Sequence, residues 1–228
     1  MRPLGTAALL TVLAATAACG SGTGDRPADA AQGDRCAGRG TVVARADLDG
    51  DGTREPVRLT GAGGPCPHRL VAGSRSVDVA GLGLVAKRAS VVRPGGQELV
   101  LVPAHSHPRG GSQPRLFTAG GRDGLTEVVT KAGDPVLPFV ATDGGQPPTT
   151  ATCRDGGIAV LTASAHQPPG VVLAWDVRRT SYRIEEGVAV RTEDAVVEKA
   201  VADPLLRKRL PALFDGSLFA GCSAGLSR

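Results

Sequence analysis

Aromatic side chains are scarce in this sequence, and asparagine is absent. Aromatic residues make up 3% of the 228 residues, and Trp175 and Tyr182 are the single Trp and Tyr. Recognition of single-stranded nucleic acid or of sugars by stacking needs aromatic platforms, so the composition counts against both. The lack of Asn excludes N-linked glycosylation and Asn-Gly turns, which leaves the tight turns to the 32 glycines.

Positive charge does not form a stripe along the chain. The net charge is +4, and the arginines are scattered instead of forming a stripe. Such a balance favours solubility and does not provide the basic surface that a nucleic-acid partner needs. We therefore expect no nucleic acid among the partners.

Long apolar runs are also missing, since none reaches the roughly 20 residues that a transmembrane helix needs. The N-terminus has Arg2, an apolar run at 7–15, small residues at 16–18 and then Cys19. This pattern resembles the signal of a bacterial lipoprotein. The resemblance implies that residues 1–18 are a signal peptide, that Cys19 is lipidated, and that the lipid anchors the chain at the extracytoplasmic face of the cell membrane. The alternative is an ordinary secreted protein in which Cys19 ends the signal.

Residues 19–34 are small and polar, and they predict a flexible tether because they cannot bury enough apolar surface to order themselves. The rest of the chain, 35–228, is long enough for one domain with a real core. The division is thus signal peptide, tether and one domain.

Four cysteines remain in the predicted domain: Cys36, Cys66, Cys153 and Cys222. An even number outside the cytoplasm indicates two disulfides, and four cysteines allow three pairings. We favour Cys36–Cys66 with Cys153–Cys222, because each bond then closes one end of the domain and neither crosses its middle. A four-cysteine zinc site is the alternative, but no CxxC pair is present.

Short apolar runs rich in Val and Leu, separated by Gly, Pro and Asp, follow one another through most of the domain. They are too short for helices and predict strands at 41–46, 56–60, 69–72, 76–80, 90–93, 98–102, 115–118, 136–141, 158–163, 171–177, 182–185 and 188–191. The fold class is therefore all-β, with short antiparallel strands. Near the C-terminus, Asp203 and Pro204 favour the start of a short helix that Pro211 ends, and residues 216–222 return to strand character.

A weak internal repeat places a glycine turn before an apolar strand near residues 51, 95 and 156. The spacing of about 45 to 60 residues is the size of one four-stranded blade or meander. Three such units are too few to close a propeller, which typically needs four to eight blades. The repeat predicts blade-like meanders in a partial or small propeller-like arrangement, although glycine turns before valine strands look alike in any β protein.

The densest cluster of charge is the segment 47–55, Asp-Leu-Asp-Gly-Asp-Gly-Thr-Arg-Glu. Carboxylates at alternate positions, with glycines that allow tight curvature, let a short loop surround one hard cation with oxygen atoms. Calcium needs six to eight such oxygens. Four carboxylates this close would repel one another without a cation. The alternative is an exposed acidic turn that holds no ion.

Spacing separates two loop types that share this start. A helix-loop-helix calcium hand needs a bidentate Glu at its twelfth position, which here is Arg58, and the flanks predict strands. Residues 44–60 instead resemble the calcium loop of the FG-GAP or VCBS repeat, in which a DxDGDGxxD core lies in a β-hairpin of a propeller blade. The resemblance implies one structural calcium ion, held by three Asp side chains, one carbonyl and a Glu in place of the usual Asp: Asp47, Asp49, Asp51, Thr53 and Glu55. The other two turns would be degenerate copies.

Evidence for catalysis is weak in the sequence. His105, His107 and His166 could form a three-histidine metal site, but prolines mark these positions as loops and no carboxylate lies near them in sequence. Residues 221–225 match GxSxG formally, yet no histidine follows them. We therefore expect no enzyme.

The sequence as a whole predicts a binding or structural module at the cell surface, with an unknown protein or ligand partner. One alternative is an envelope metal-dependent hydrolase that uses the loop histidines. Another is an assembly partner of a second envelope protein, which would show an exposed apolar patch of more than a few hundred Å².

Overall fold

The computed structural model describes residues 35–82, 89–104, 111–120, 124–140, 147–166 and 173–222. Residues 1–18, the tether with Cys19, and the pair His105 and His107 lie outside these ranges. In the described part the chain is all-β with one short C-terminal helix, which confirms the predicted fold class.

The described strands form three sheets, and each sheet contains a four-stranded antiparallel meander in chain order. The first meander is β1 Thr41–Ala46, β2 Glu55–Leu59, β3 Arg69–Ala72 and β4 Arg75–Asp78. The second is β5 Ser90–Val92, β6 Leu99–Val102, β7 Arg115–Gly120 and β8 Gly124–Glu127. The third is β10 Thr149–Arg154, β11 Gly157–His166, β12 Ala174–Glu185 and β13 Val188–Ala202. The short strand β9, Val129–Thr130, pairs in parallel with β13 at the edge of this third sheet.

The three repeated glycine turns occupy the same place in each meander, because each joins its first strand to its second. Neighbouring turns also lie against each other. A Cβ atom added to Gly95 in the second turn would lie 2.5 Å from the carbonyl oxygen of Gly156 in the third. Since Gly95 also has a φ of +61°, only glycine suits this position. The turns therefore form one row along a common edge of the three sheets.

The three sheets stack face to face, with the second sheet in the middle. One face of β6 and β7 packs against the first sheet through Val100, Val102 and Phe117. The other face packs against the third sheet through Leu99, Leu101 and Leu116. This double burial explains why β6 is a continuous apolar run, Leu-Val-Leu-Val, with all four residues buried.

Two disulfides lie at different levels of the stack, one on the outer side of the first sheet and one at the core between the second and third sheets. The disulfide Cys36–Cys66 lies with Val71 on the outer side of the first sheet, and its Cα atoms are 5.7 Å apart. The disulfide Cys153–Cys222 joins β10 to the C-terminal segment, also with 5.7 Å between Cα atoms. The predicted pairing is the one present in the structure.

The predicted helix is α1, Asp203–Arg209, with Pro204 in its first turn. Leu206 faces the third sheet and is fully buried in a cluster with Ala163 and Val177. The Asp203 carboxylate accepts hydrogen bonds from Trp175 Nε1 at 2.8 Å and from Arg207 Nε at 2.7 Å. A 3-10 turn at Pro211–Leu213 follows, as expected where Pro211 cannot continue the helix.

Two predicted strands are wrong. Residues 136–140 form no strand; only isolated bridges occur, at Pro135 just before them and at Val140, because Pro135 and Pro138 lack the N–H groups that a ladder needs. Residue 141 lies outside the described part. Residues 216–222 form no strand, since Gly216, Phe219 and Gly221 all have positive φ. Val136, Leu137 and Phe219 are nevertheless buried, so the apolar pattern located core residues and not strands.

Other boundaries change because strands run longer than their most apolar stretches. From Ala174 onward, the run predicted at 171–177 belongs to the same strand β12 as the run at 182–185; residues 171 and 172 lie outside the described part. The run at 188–191 continues through 195–202 as β13. Strands β8, β9 and β10 were not predicted. Strands β8 and β9 are short, with one Leu and one Val respectively, and β10, Thr-Thr-Ala-Thr-Cys-Arg, owes its strand propensity to threonine instead of Val and Leu.

Candidate metal centre

The acidic loop joins β1 to β2 at the row of glycine turns. Leu48 is buried in the core between the first and second sheets, and it anchors the loop with a carboxylate on either side. Asp47 is half-buried, whereas Asp49 and Asp51 are exposed. One carboxylate oxygen from each of the three lies within 4.8 Å of the others. The structure thus brings together three of the five predicted ligands.

The loop's own amides hold the carboxylates in place. Asp47 Oδ1 accepts the N–H of Gly50 at 2.8 Å, and Asp47 Oδ2 accepts that of Gly52 at 3.0 Å. Gly50 and Gly52 have φ of +77° and +88°, which explains the glycines between the acidic residues. Thr53 donates its N–H to Asp51 Oδ1 at 2.6 Å, so it tightens the loop. Its carbonyl as a ligand stays a prediction.

Glu55, the fourth carboxylate, lies beside the three Asp residues at the start of β2. Its Oε2 atom is buried and has no hydrogen-bond partner among the described residues. Burial raises the pKa of Glu55, and the neighbouring negative charge of Asp49 raises it further. An unpartnered buried acceptor next to three carboxylates is the kind of atom that a bound cation satisfies.

Arg75, at the start of β4, is a contact that the sequence did not reveal. Its Nη1 atom lies 2.8 Å from Asp49 Oδ2 and 3.9 Å from Glu55 Oε1. The hydrogen bond from Arg75 lowers the pKa of Asp49. Because the two residues are 26 positions apart and meet only through the sheet, no local pattern could have identified the pair.

Glu98, just before β6, ties the loop to the second sheet. It is 2% exposed, and its Oε2 atom accepts the backbone N–H of Asp47 at 2.7 Å. Its Oε1 atom accepts Nη2 of Arg54 at 2.5 Å and also contacts Arg93. Burial alone would raise the pKa of Glu98, but these hydrogen bonds outweigh it and hold the pKa below its ordinary value of 4.5. The sequence signal that could have indicated a buried Glu98 was its position directly before the apolar run of β6.

Of the three histidines that could form a metal site, only His166 lies among the described residues. His166 Nδ1 lies 3.1 Å from Asp176 Oδ2 on the adjacent strand, so a carboxylate does orient this histidine. Asp176 also accepts the N–H of Ala200 at 2.7 Å, and that hydrogen bond is the largest cause of its lowered pKa. The other two histidines lie outside the described residues.

The donor chemistry of the acidic loop fits a hard divalent cation. It offers carboxylate oxygens from Asp47, Asp49 and Asp51 close together, with the unpartnered oxygen of Glu55 beside them. Calcium and magnesium both prefer such ligands, and calcium accepts the flexible geometry of a loop. Neither sulfur nor imidazole takes part, which disfavours zinc or copper at this position.

Comparison with known proteins gives no relative from which the role of this site could be inferred. No protein-family model matches the chain, and neither the curated proteins nor the solved structures contain a significant match. None of the helices in the described ranges has the length and apolar character needed to cross a membrane.

Proposed function

We propose that this chain is a lipid-anchored, extracytoplasmic β protein in which one structural calcium ion stabilises the first hairpin, and that it acts as a binding or structural module at the cell surface. The observation that carries the proposal is the group of Asp47, Asp49 and Asp51, each with an oxygen within 4.8 Å of the others. The lipoprotein-like N-terminus supports the location.

The ion would be held by the carboxylates of Asp47, Asp49 and Asp51, with Glu55 and the carbonyl of Thr53 as further ligands. When bound, calcium supplies positive charge that offsets the repulsion among these carboxylates. The protein holds the ligands in position: the loop amides orient the carboxylates, and Glu98 binds the backbone N–H of Asp47 and so links it to the second sheet. An ion here would strengthen the contact between the first two meanders, which supports a structural role.

Three observations support FG-GAP or VCBS-like units. The acidic loop lies in the first hairpin of a four-stranded meander, as that resemblance implies. The two glycine turns without the acidic set lie in the corresponding hairpins of the other meanders. Neighbouring meanders stack on one another through apolar faces. We propose that the second and third units are copies that have lost the ion site.

Calcium is expected to raise the melting temperature of the protein beginning at residue 33. Loops of extracellular modules have dissociation constants of about 0.1 to 1 mM. Calcium at 10 mM would then add about 1.4 to 2.7 kcal/mol, or about 3 to 10 °C for a domain of this size. Differential scanning fluorimetry in calcium and in chelator measures the shift. Asp49→Ala should abolish it, and Asp134→Ala, an exposed acidic residue elsewhere, should leave it intact. An equal melting temperature with and without calcium would contradict the ion site.

Cys19→Ala is expected to remove acylation and membrane association. The acyl chains carry the membrane affinity, about 0.8 kcal/mol for each buried methylene, and no transmembrane segment replaces them in the sequence-based prediction. Metabolic labelling with palmitate and detergent phase partition measure both effects. Ser21→Ala, two residues away, is the control. Unlabelled wild-type protein recovered in the aqueous phase would favour the secreted alternative.

A further inference from the structure

Arg75 lies where a single positive charge faces four carboxylates. It starts β4, and its guanidinium reaches across to the loop between β1 and β2. The loop brings together four carboxyl groups, those of Asp47, Asp49, Asp51 and Glu55. Arg75 supplies one positive charge to them, whereas Arg54, inside the loop sequence, turns towards Glu98. The loop therefore has more carboxyl groups than positively charged partners among the described residues.

The contact between Arg75 and the loop leaves one hydrogen-bonding atom of each partner unpaired among the described residues. Arg75 makes a hydrogen bond to Asp49 at 2.8 Å, but its nearest atom is 3.9 Å from Glu55. Arg75 Nε and Glu55 Oε2 are both buried, and neither has a hydrogen-bond partner among the described residues. Buried polar atoms are normally paired, so this arrangement leaves an acceptor for a further cation. The same Asp49 carboxylate serves Arg75 and belongs to the three-carboxylate group.

We propose that Arg75 is a built-in counter-ion, which competes with the divalent cation for Asp49 and thereby sets the affinity of the loop. The inference rests on the proposed calcium site. In the ion-free protein the guanidinium holds Asp49 and reduces the repulsion within the loop. When a divalent cation binds, the guanidinium gives up this carboxylate oxygen and its charge opposes that of the ion. Arg75 thus stabilises the empty loop and weakens the filled one.

The test is a calorimetric titration of calcium into the full chain in detergent, together with melting temperatures in chelator. Arg75→Gln removes the charge and keeps a shorter polar side chain with an N–H donor. We expect it to bind calcium at least about tenfold more tightly, because a unit charge a few ångströms from a divalent ion opposes binding by that much even in a largely aqueous setting. We also expect a lower melting temperature without calcium.

Two variants serve as controls. Arg75→Lys keeps the charge and should bind calcium within about threefold of the wild type. Arg115→Gln removes an equivalent ion pair on the second sheet, where Arg115 Nη1 lies 2.7 Å from Glu127 Oε1. The two arginines match well, since their side chains are 20% and 13% exposed. Arg115→Gln should lower the melting temperature in chelator without changing calcium affinity.

The outcomes separate this inference from the calcium site itself. Tighter binding by Arg75→Gln supports the inference, and so does binding by Arg75→Gln alone, which would contradict calcium binding by the native chain. Wild-type binding with equal or weaker binding by Arg75→Gln overturns the inference and leaves the calcium site standing. No binding by either protein overturns both.

Discussion

Phe219→Ala should lower the free energy of unfolding by about 3 to 5 kcal/mol, the usual loss when a buried phenylalanine leaves a cavity. Phe219 is 1% exposed and packs between the second and third sheets. Its N–H donates to the carbonyl of Ala151 in β10 at 2.6 Å. Urea or guanidinium unfolding measures the loss.

The expected effect is large because Phe219 belongs to a C-terminal segment that fastens the two sheets together. Cys222 closes this segment onto β10 by its disulfide, and its carbonyl accepts the N–H of Arg93 next to β5 at 3.0 Å. Val196→Ala is the control, since Val196 is 54% exposed and should lose less than about 0.5 kcal/mol. A loss below 1 kcal/mol for Phe219→Ala would show that the segment does not hold the sheets.

Glu98→Gln should cost about 2 to 3 kcal/mol at pH 7. The buried carboxylate balances Arg54 and Arg93, and removing one partner of a buried ion pair leaves uncompensated charge. The two arginines are 31% and 47% exposed, so water offsets part of the loss. Glu127→Gln removes a carboxylate that is 21% exposed, against 1% for Glu98, and should cost less than about 1 kcal/mol. Equal losses for the two variants would contradict the role of Glu98 as a buried tie.

The loss from Glu98→Gln should depend on pH in one direction. The folded-state pKa of Glu98 lies below its ordinary value of 4.5, so the carboxylate stabilises the folded state fully above about pH 4.5. This stabilisation is lost as the pH falls through the folded-state pKa. The wild type and Glu98→Gln should therefore differ by a constant amount near neutral pH and converge in acid. A gap that widens in acid would contradict the lowered pKa.

Much of the fold was accessible from the sequence because its strands are local apolar runs bounded by glycine. The repeated turns near residues 51, 95 and 156 gave the right unit, and each lies in the first hairpin of a meander. Prediction failed where backbone chemistry overrode hydrophobicity. Prolines interrupt the apolar run at 136–140, and positive φ at Phe219 turns the chain out of a strand while its ring stays in the core.

The candidate site was predictable only in its local part. Asp47, Asp49 and Asp51 are neighbours in sequence, and the structure places their oxygens together. Arg75 at the start of β4 and Glu98 just before β6 contact the loop from 26 and 51 residues away. The spacing of residues along the sequence does not predict these contacts, because they depend on the register of β2, β3 and β4 and on the stacking of two sheets.

A crystal structure grown with calcium tests the ion site most directly, through the anomalous signal of the metal. We expect one calcium peak in the first hairpin, with carboxylate oxygens of Asp47, Asp49 and Asp51 at about 2.3 to 2.6 Å from it. Glu55 Oε2 should also face the peak, and the guanidinium of Arg75 should have moved off Asp49. A map without a peak at this loop, or with the three carboxylates turned away from a common centre, would contradict the proposal.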